Sequence, residues 1–356
     1  MSGKPRQRII LIALLIALLA CSALRLFVGS TFGWPRGDFL SSVARIFVGD
    51  WLAPTPQSEA ASGSFISLFT QPVGILGIRL MHVFVAIIAG IALSTSGVAL
   101  QALLRNPLAE PFILGLSSGA AVGYIGQKML TKWIGSPLGP LQMGAILGGI
   151  ITLAIVYLAG RRRGIVDPLG VLLTGVVLSA FNGAIIMILF HFNTEGDMAQ
   201  LARWMQGYLE ENLGSREMLA ITIITFLGLG LLIKQSKAMD VALFSDAEAI
   251  AMGVNLHRLR TVLFLTAGIL ASGAVVLAGP LAFVGLVCPH VARLLFGPSH
   301  RMLLIGSAVL GALLLVFADT VMASIQQRQF PIGVFTAIVG GPIFLSMLRS
   351  RMGRSE

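Results

Sequence analysis

Charge is what this 356-residue sequence has least of: Asp, Glu, Lys and Arg together make up 11%, where a soluble domain carries about a quarter. Hydrophobic residues make up 56%, and mean hydropathy is +0.90. No soluble core of this length can hide so much apolar surface, so lipid is the expected solvent. Cysteine is scarce too. Cys21 and Cys288 both lie in apolar runs without metal-ligand spacing, which excludes a disulfide framework and reads as two buried thiols. The motifs of several enzyme classes are missing: there is no Gly-x-x-x-x-Gly-Lys-Ser/Thr phosphate loop, no His-Glu-x-x-His and no Cys-x-x-Cys. Nucleotide hydrolysis and metal-assisted hydrolysis are therefore not expected of this chain, and no bound cofactor is expected either.

What is present is apolar sequence in long runs, punctuated by arginine and rich in glycine, with 41 residues. Small residues let membrane helices approach closely. A run that crosses the hydrocarbon layer needs about 20 residues. On that measure ten helices are expected, near 9–29, 80–104, 111–130, 140–160, 166–192, 217–235, 261–280, 282–297, 302–325 and 331–349. The start, Lys4 to Arg8 followed by Ile9 to Ala20, has the look of a signal peptide, and Leu18-Leu19-Ala20-Cys21 that of a lipoprotein box. The apolar stretch continues to Val28, however, so a first transmembrane helix is the better reading.

The net charge of +10 does not form a basic stripe interleaved with aromatics, so nucleic-acid binding is not expected. The cations sit between the apolar runs, where they orient a membrane protein. With ten crossings, one side receives Lys4, Arg6, Arg8, Arg105, Arg161 to Arg163, Lys234, Lys237, Arg258, Arg260, Arg293, Arg301, Arg349, Arg351 and Arg354. The other side holds Arg36, Arg45, Arg79, Lys128, Lys132, Arg203, Arg216 and Arg328, mixed with most of the loop acids. The positive-inside rule then puts both termini in the cytoplasm. The expected fold is a single all-α transmembrane domain over 1–356. It has an extracytoplasmic loop over 30–79, with a short amphipathic helix at 38–52, and a cytoplasmic segment over 244–260.

Four segments carry mechanism. In the cytoplasmic one, Ser245 with Glu248 three residues on is a capping box. Ala247 to Met252 favour helix, Gly253 supplies a left-handed stop, and Asn255 caps a second helix. A rigid exposed knob of this kind suits a groove on another protein, although an ordinary amphipathic connector would read the same way. In Gln101 to Ala121, Pro107 and Pro111 bracket a polar turn, and the Gly/Ser/Ala run after it belongs against other helices or along a pathway. The third segment is Pro289-His290-Val291-Ala292-Arg293, after Ala278-Gly279-Pro280 and Phe283-Val284-Gly285. The last runs from Phe330-Pro331 to Gly340-Gly341-Pro342-Ile343-Phe344.

These segments, in this order, resemble the permease family of binding-protein-dependent ABC importers for iron chelates, haem and cobalamin. The resemblance covers about Leu80 to Leu348. It rests above all on Asn106-Pro107-Leu108-Ala109-Glu110-Pro111 with Gly115 and Ser118-Gly119-Ala120, and on Gly285 to His290 with Ala292-Arg293. It implies ten helices, a homodimer or related heterodimer around a central pathway, and a pair of cytoplasmic ATPase subunits that hold ATP and magnesium. A periplasmic binding protein would deliver the cargo. The chain would be a transport subunit in a bacterial inner membrane, not an enzyme, and its cargo a ferric siderophore, with haem or cobalamin as the alternative.

The resemblance places Ser245, Glu248, Ala249, Gly253 and Val254 where the ATPase docks. It puts Arg79 and Arg328 where the binding protein docks, with His82 standing where the family commonly has a second arginine. Asn106, Pro107, Gly115, Gly119, Pro289 and His290 are read as pathway or structural turns. Two side chains could point elsewhere. Asp319 inside an apolar run is costly enough to be functional; a structural hydrogen-bonding role is preferred over the proton coupling of a secondary transporter. His82 and His191, at outer helix ends, read as interfacial rather than as haem ligands.

Overall fold

The computed structural model describes residues 3–28, 74–136, 139, 141–162, 164–192, 202–209, 215–325 and 330–352. The expected amphipathic helix at 38–52 and Arg328 lie outside them. The long helices are α1 (Gly3–Phe27), α2 (Gly74–Leu104), α3 (Leu116–Ile134), α4 (Leu141–Ala159), α5 (Pro168–His191) and α6 (Ser215–Val241). A short α7 (Asp246–Ala251) precedes α8 (Leu256–Ala278), α9 (Val284–Phe296), α10 (His300–Ser324) and α11 (Ile332–Met352).

Each expected helix has a counterpart, and the fold is all-α. Among the described residues, strand is confined to a hairpin of two-residue strands, β1 (Arg161–Arg162) with β2 (Ile165–Val166), with Gly164 between them at φ +82°. It fixes the start of the arginine run: Arg161 lies over the Tyr157 ring at 4.7 Å and donates to the Gly164 carbonyl.

Among the described residues, seven helices are long and apolar enough to cross a membrane: α1, α2, α4, α5, α6, α8 and α10. Three expected spans differ. α3 carries Gln127, Lys128 and Lys132 in its second half and is opened by a 3-10 turn at Pro111–Leu114. α9 has 13 residues, which at 1.5 Å rise is about 20 Å, too short to cross alone. α11 is apolar over Ile332–Met347. A short helix entered through a non-helical break is tolerated at membrane depth only where protein or a cavity surrounds it. The break before α9, Gly279 to Phe283, is enclosed in that way, against Gly207 and Gly333.

α2 is the hub. It packs on α8, α9 and α10, and its residues from Val85 to Leu103 are largely buried. Glycines make this packing possible: a Cβ on Gly90 would lie 2.3 Å from the Gly311 carbonyl oxygen of α10, and one on Gly311 2.2 Å from that of Gly90. α5 and α6 instead expose broad apolar faces, including Leu173, Val177, Phe181 and Ile188 on α5 and Ile223 and Leu227 on α6. A soluble protein does not expose such faces over whole helices; lipid or a second subunit covers them.

Candidate functional site

The cation-rich ends of the helices meet at one end of the bundle. There Gln7 Nε2 of α1 donates to the Phe296 carbonyl at the end of α9 (2.7 Å), and Asp240 of α6 caps α10 by accepting from the His300 backbone N–H (2.9 Å). From this end projects the helix–turn–helix. Ser245 is the N-cap of α7: its Oγ accepts from the Glu248 N–H (3.2 Å), and Glu248 Oε2 accepts from the Ser245 N–H (2.9 Å) and hydroxyl (2.8 Å). Those hydrogen bonds hold the Glu248 carboxyl below its ordinary range. Gly253 stops the helix at φ +82°, and Asn255 Oδ1 accepts from the Arg258 N–H (3.0 Å) to start α8.

Of the residues placed at this knob by resemblance, Ser245, Glu248 and Gly253 are exposed and Val254 is half-buried. Ala249 is fully buried within the chain, where it anchors α7. The large exposed apolar side chains around the knob are Leu243, Phe244, Ile250 and Met252. None was singled out from the sequence. The signal was there, four apolar residues within ten positions of a polar loop, but it reads equally as the buried face of a connector.

Asp246, the first residue of α7, is gripped from two sides. Arg105 Nη2 donates to its Oδ1 at 2.6 Å, and Arg260 Nη2 to Oδ1 and Oδ2 at 3.0 and 2.8 Å. Partial burial alone would raise this carboxyl; the Arg260 and Arg105 charges and hydrogen bonds outweigh it and hold the group below the usual carboxylate range. Arg105 also donates from Nε to the Ala242 carbonyl (2.8 Å), so one guanidinium spans both ends of the α6–α7 turn.

The turn after α2 is built from the other motif residues. Asn106 Oδ1 accepts from the Leu108 N–H (3.0 Å), and the Ala109 N–H donates to the Asn106 carbonyl (3.0 Å). Pro107 follows Asn106 within this turn. Glu110 is half-buried and accepts a hydrogen bond from the Phe283 N–H at the start of α9. Gly115, at φ +73°, joins the 3-10 turn to α3, and Gly119 lets α3 meet α4, where a Cβ would lie 1.9 Å from Thr152 Oγ1.

α9 explains why Gln101 matters. Pro289 has no N–H, so the Gly285 carbonyl four residues earlier lacks its helical donor. Gln101 Nε2 of α2 supplies one at 3.4 Å, and Arg293 Nη2 of α9 returns a hydrogen bond to Gln101 Oε1 (3.3 Å). The helices are close enough for this because a Cβ on Gly97 would lie 1.8 Å from the Gly285 oxygen. His290, next to Pro289, is half-buried.

At the opposite end of the bundle lies a buried ion cluster. Arg25 of α1 donates from Nε to Asp319 Oδ2 of α10, from Nη1 to the Val28 carbonyl (3.0 Å), and contacts His82 Nδ1 through Nη2 (3.2 Å). His82 Nδ1 also lies 3.5 Å from Asp319 Oδ1. The Arg25 and Asp319 side chains are only 7% and 8% exposed, which makes this an interior pair and not a surface one. His82 therefore faces inward. Arg79, one turn before it, donates to the Leu26 carbonyl at 2.7 Å. Among the described residues, no three His, Cys, Asp or Glu side chains gather into a group able to hold a metal ion.

A family model matches residues 37–350, that of the FecCD transport family. The chain belongs to the FecCD transport family. Among its relatives, the hemin transport system permease protein of Yersinia pestis is 36% identical over 287 residues, covering 79% of this chain and 84% of that one. The cobalamin import system permease protein of Halobacterium salinarum is 35% identical over 280 residues (78% and 74%). A probable iron chelatin transport system permease protein of Helicobacter pylori is 36% identical over 279 residues (77% and 82%). Among solved structures, an inward-facing metal-chelate type ABC transporter superposes with a TM-score of 0.76 at 26% identity, covering 96% of this chain and 99% of the other. This FecCD member is thus a multi-pass membrane permease, with its helix–turn–helix at one end and its Arg25–Asp319 pair at the other.

Proposed function

We propose that this chain is the membrane-spanning subunit of an ATP-driven importer that carries an iron chelate across a bacterial inner membrane. The observation that carries the reading is the rigid, capped helix–turn–helix at the cation-rich end, ringed by exposed Leu243, Phe244, Ile250 and Met252. By the positive-inside rule that end is cytoplasmic, and both termini with it. An apolar patch on a polar, water-facing knob calls for a protein partner. A separate ATPase dimer fits: this sequence has no phosphate loop of its own, so ATP and magnesium would reside on the partner. The exposed faces of α5 and α6 leave room for a second permease subunit, with the pathway between the two.

A periplasmic binding protein would dock at the opposite end. Arg79 is suited to meet its acids, since a guanidinium has five donors and one carbonyl contact does not exhaust them. Arg328 is proposed for the same role. His82, drawn toward Asp319, would act by steadying the helix end that presents Arg79. The relatives above are named for hemin, an iron chelate and cobalamin; an iron chelate is the cargo proposed here, with hemin itself and cobalamin as the alternatives of the same importer type.

An ion-coupled transporter working alone would need an acid free to exchange protons. Asp319 is committed to Arg25 and His82. Purification of the tagged chain from its native membrane in mild detergent separates the two readings. The importer reading expects a second polypeptide with ATPase activity to co-purify at one copy per permease; a chain that purifies alone and transports along an ion gradient would refute it.

A further inference from the structure

Resting on the reading that an ATPase docks on α7, we infer that Arg105 is the residue that passes the motion of α7 into the centre of the bundle. α7 is joined by the chain itself to α6 through 242–245 and to α8 through 252–255. It has no covalent link to α2 or to the turn that follows it. The Arg105 guanidinium makes a non-covalent link: it holds Asp246 at the start of α7 and the Ala242 carbonyl just before it.

Arg105 is also where the backbone leaves α2, with φ at +49°. A non-glycine residue is costly in this region and persists only where its surroundings hold it. Here the side chain is held at both ends of the α6–α7 turn, and the backbone by the Asn106 N–H donating to the Gln101 carbonyl (3.1 Å).

From Arg105 the turn is short and stiff. Five residues on, Glu110 accepts from the Phe283 N–H, and the Pro111 ring packs where a Cβ on Gly285 would lie 2.7 Å from its Cδ. Phe283, also left-handed at φ +70°, and Gly285 open α9, the short helix entered through the break at Gly279 to Phe283. A displacement of α7 thus has a continuous path of ionic, hydrogen-bonded and close-packed contacts to the helix break inside the bundle. Arg260 grips the same Asp246, but α8 already follows α7 along the chain, so its arm is the redundant one.

Arg105 is a positioning residue, and the two arms predict different outcomes. The test uses the permease–ATPase complex with its binding protein in proteoliposomes, reading cargo taken up per ATP hydrolysed, together with co-purification of the ATPase. Arg105→Gln is expected to keep the ATPase bound and hydrolysing while uptake per ATP falls about tenfold, within the range that residues on a coupling route command. Arg260→Gln is expected to lower it far less. Arg105→Lys keeps the charge but lacks the planar fork that holds the Asp246 carboxylate and the Ala242 carbonyl together; it should fall between Arg105→Gln and the wild type, which also guards against a variant that simply misfolds.

Arg105→Gln with wild-type uptake per ATP would overturn the inference. So would loss of uptake and hydrolysis in parallel, because Arg105 would then serve docking. Failure of the underlying reading has a different mark: no ATPase would accompany the wild-type chain.

Discussion

Glu248→Arg is expected to abolish docking of the ATPase while leaving the permease folded. Glu248 is exposed and its carboxylate is hydrogen-bonded to Ser245 of its own capping box, so the substitution leaves the packing of the bundle untouched. The change removes half of the capping box and puts a cation at the positive end of α7, where the helix dipole opposes it. It also reverses the charge in the middle of the apolar knob. Glu248→Gln retains the capping hydrogen bonds and separates the two causes: docking that survives in Gln and fails in Arg assigns the effect to charge and cap orientation rather than to loss of the acid. Size-exclusion chromatography of the complex reads this directly. An Arg variant that still carries its ATPase would remove the knob from the docking surface.

The second large effect lies at the other end. Asp319→Leu is expected to destabilise the protein by about 3–5 kcal/mol, because it strands the Arg25 charge in the interior. The double variant Arg25→Met/Asp319→Leu should recover most of that loss, since a buried ion pair replaced whole by apolar side chains is close to neutral. Thermal unfolding in detergent of the two single variants and the double one forms a cycle. A single variant that unfolds as late as the wild type would mean that the pair is solvated, and would reopen Asp319 as a candidate for proton coupling.

The helices were legible because each apolar run is long and bounded by charge or proline. Their ends were less so. α6 was expected to stop near residue 235, at Lys234, but runs to Val241. Polar residues do not end a helix at a membrane surface, where lysine stems lie along apolar surface and their charges reach water, and Met239 beyond them is buried. α2 begins at Gly74, six residues before the expected start at 80.

The helix–turn–helix was readable residue by residue, since caps and left-handed glycines act locally. The Arg25–Asp319–His82 cluster was not: its members lie on three helices, two of them 294 positions apart, and no local pattern announces such a meeting. Gln101 was invisible for a related reason. Its purpose appears only when Pro289 leaves the Gly285 carbonyl without a donor and Gly97 brings the two helices together.

The measurement that bears most directly on the whole account is uptake into proteoliposomes holding this chain, its ATPase and its binding protein. Ferric hydroxamate, ferric catecholate, hemin and cobalamin would each be offered with and without ATP. Accumulation of a ferric chelate that depends on ATP and ignores ion gradients is the predicted result. Uptake that ignores ATP and follows an imposed ion gradient would contradict it.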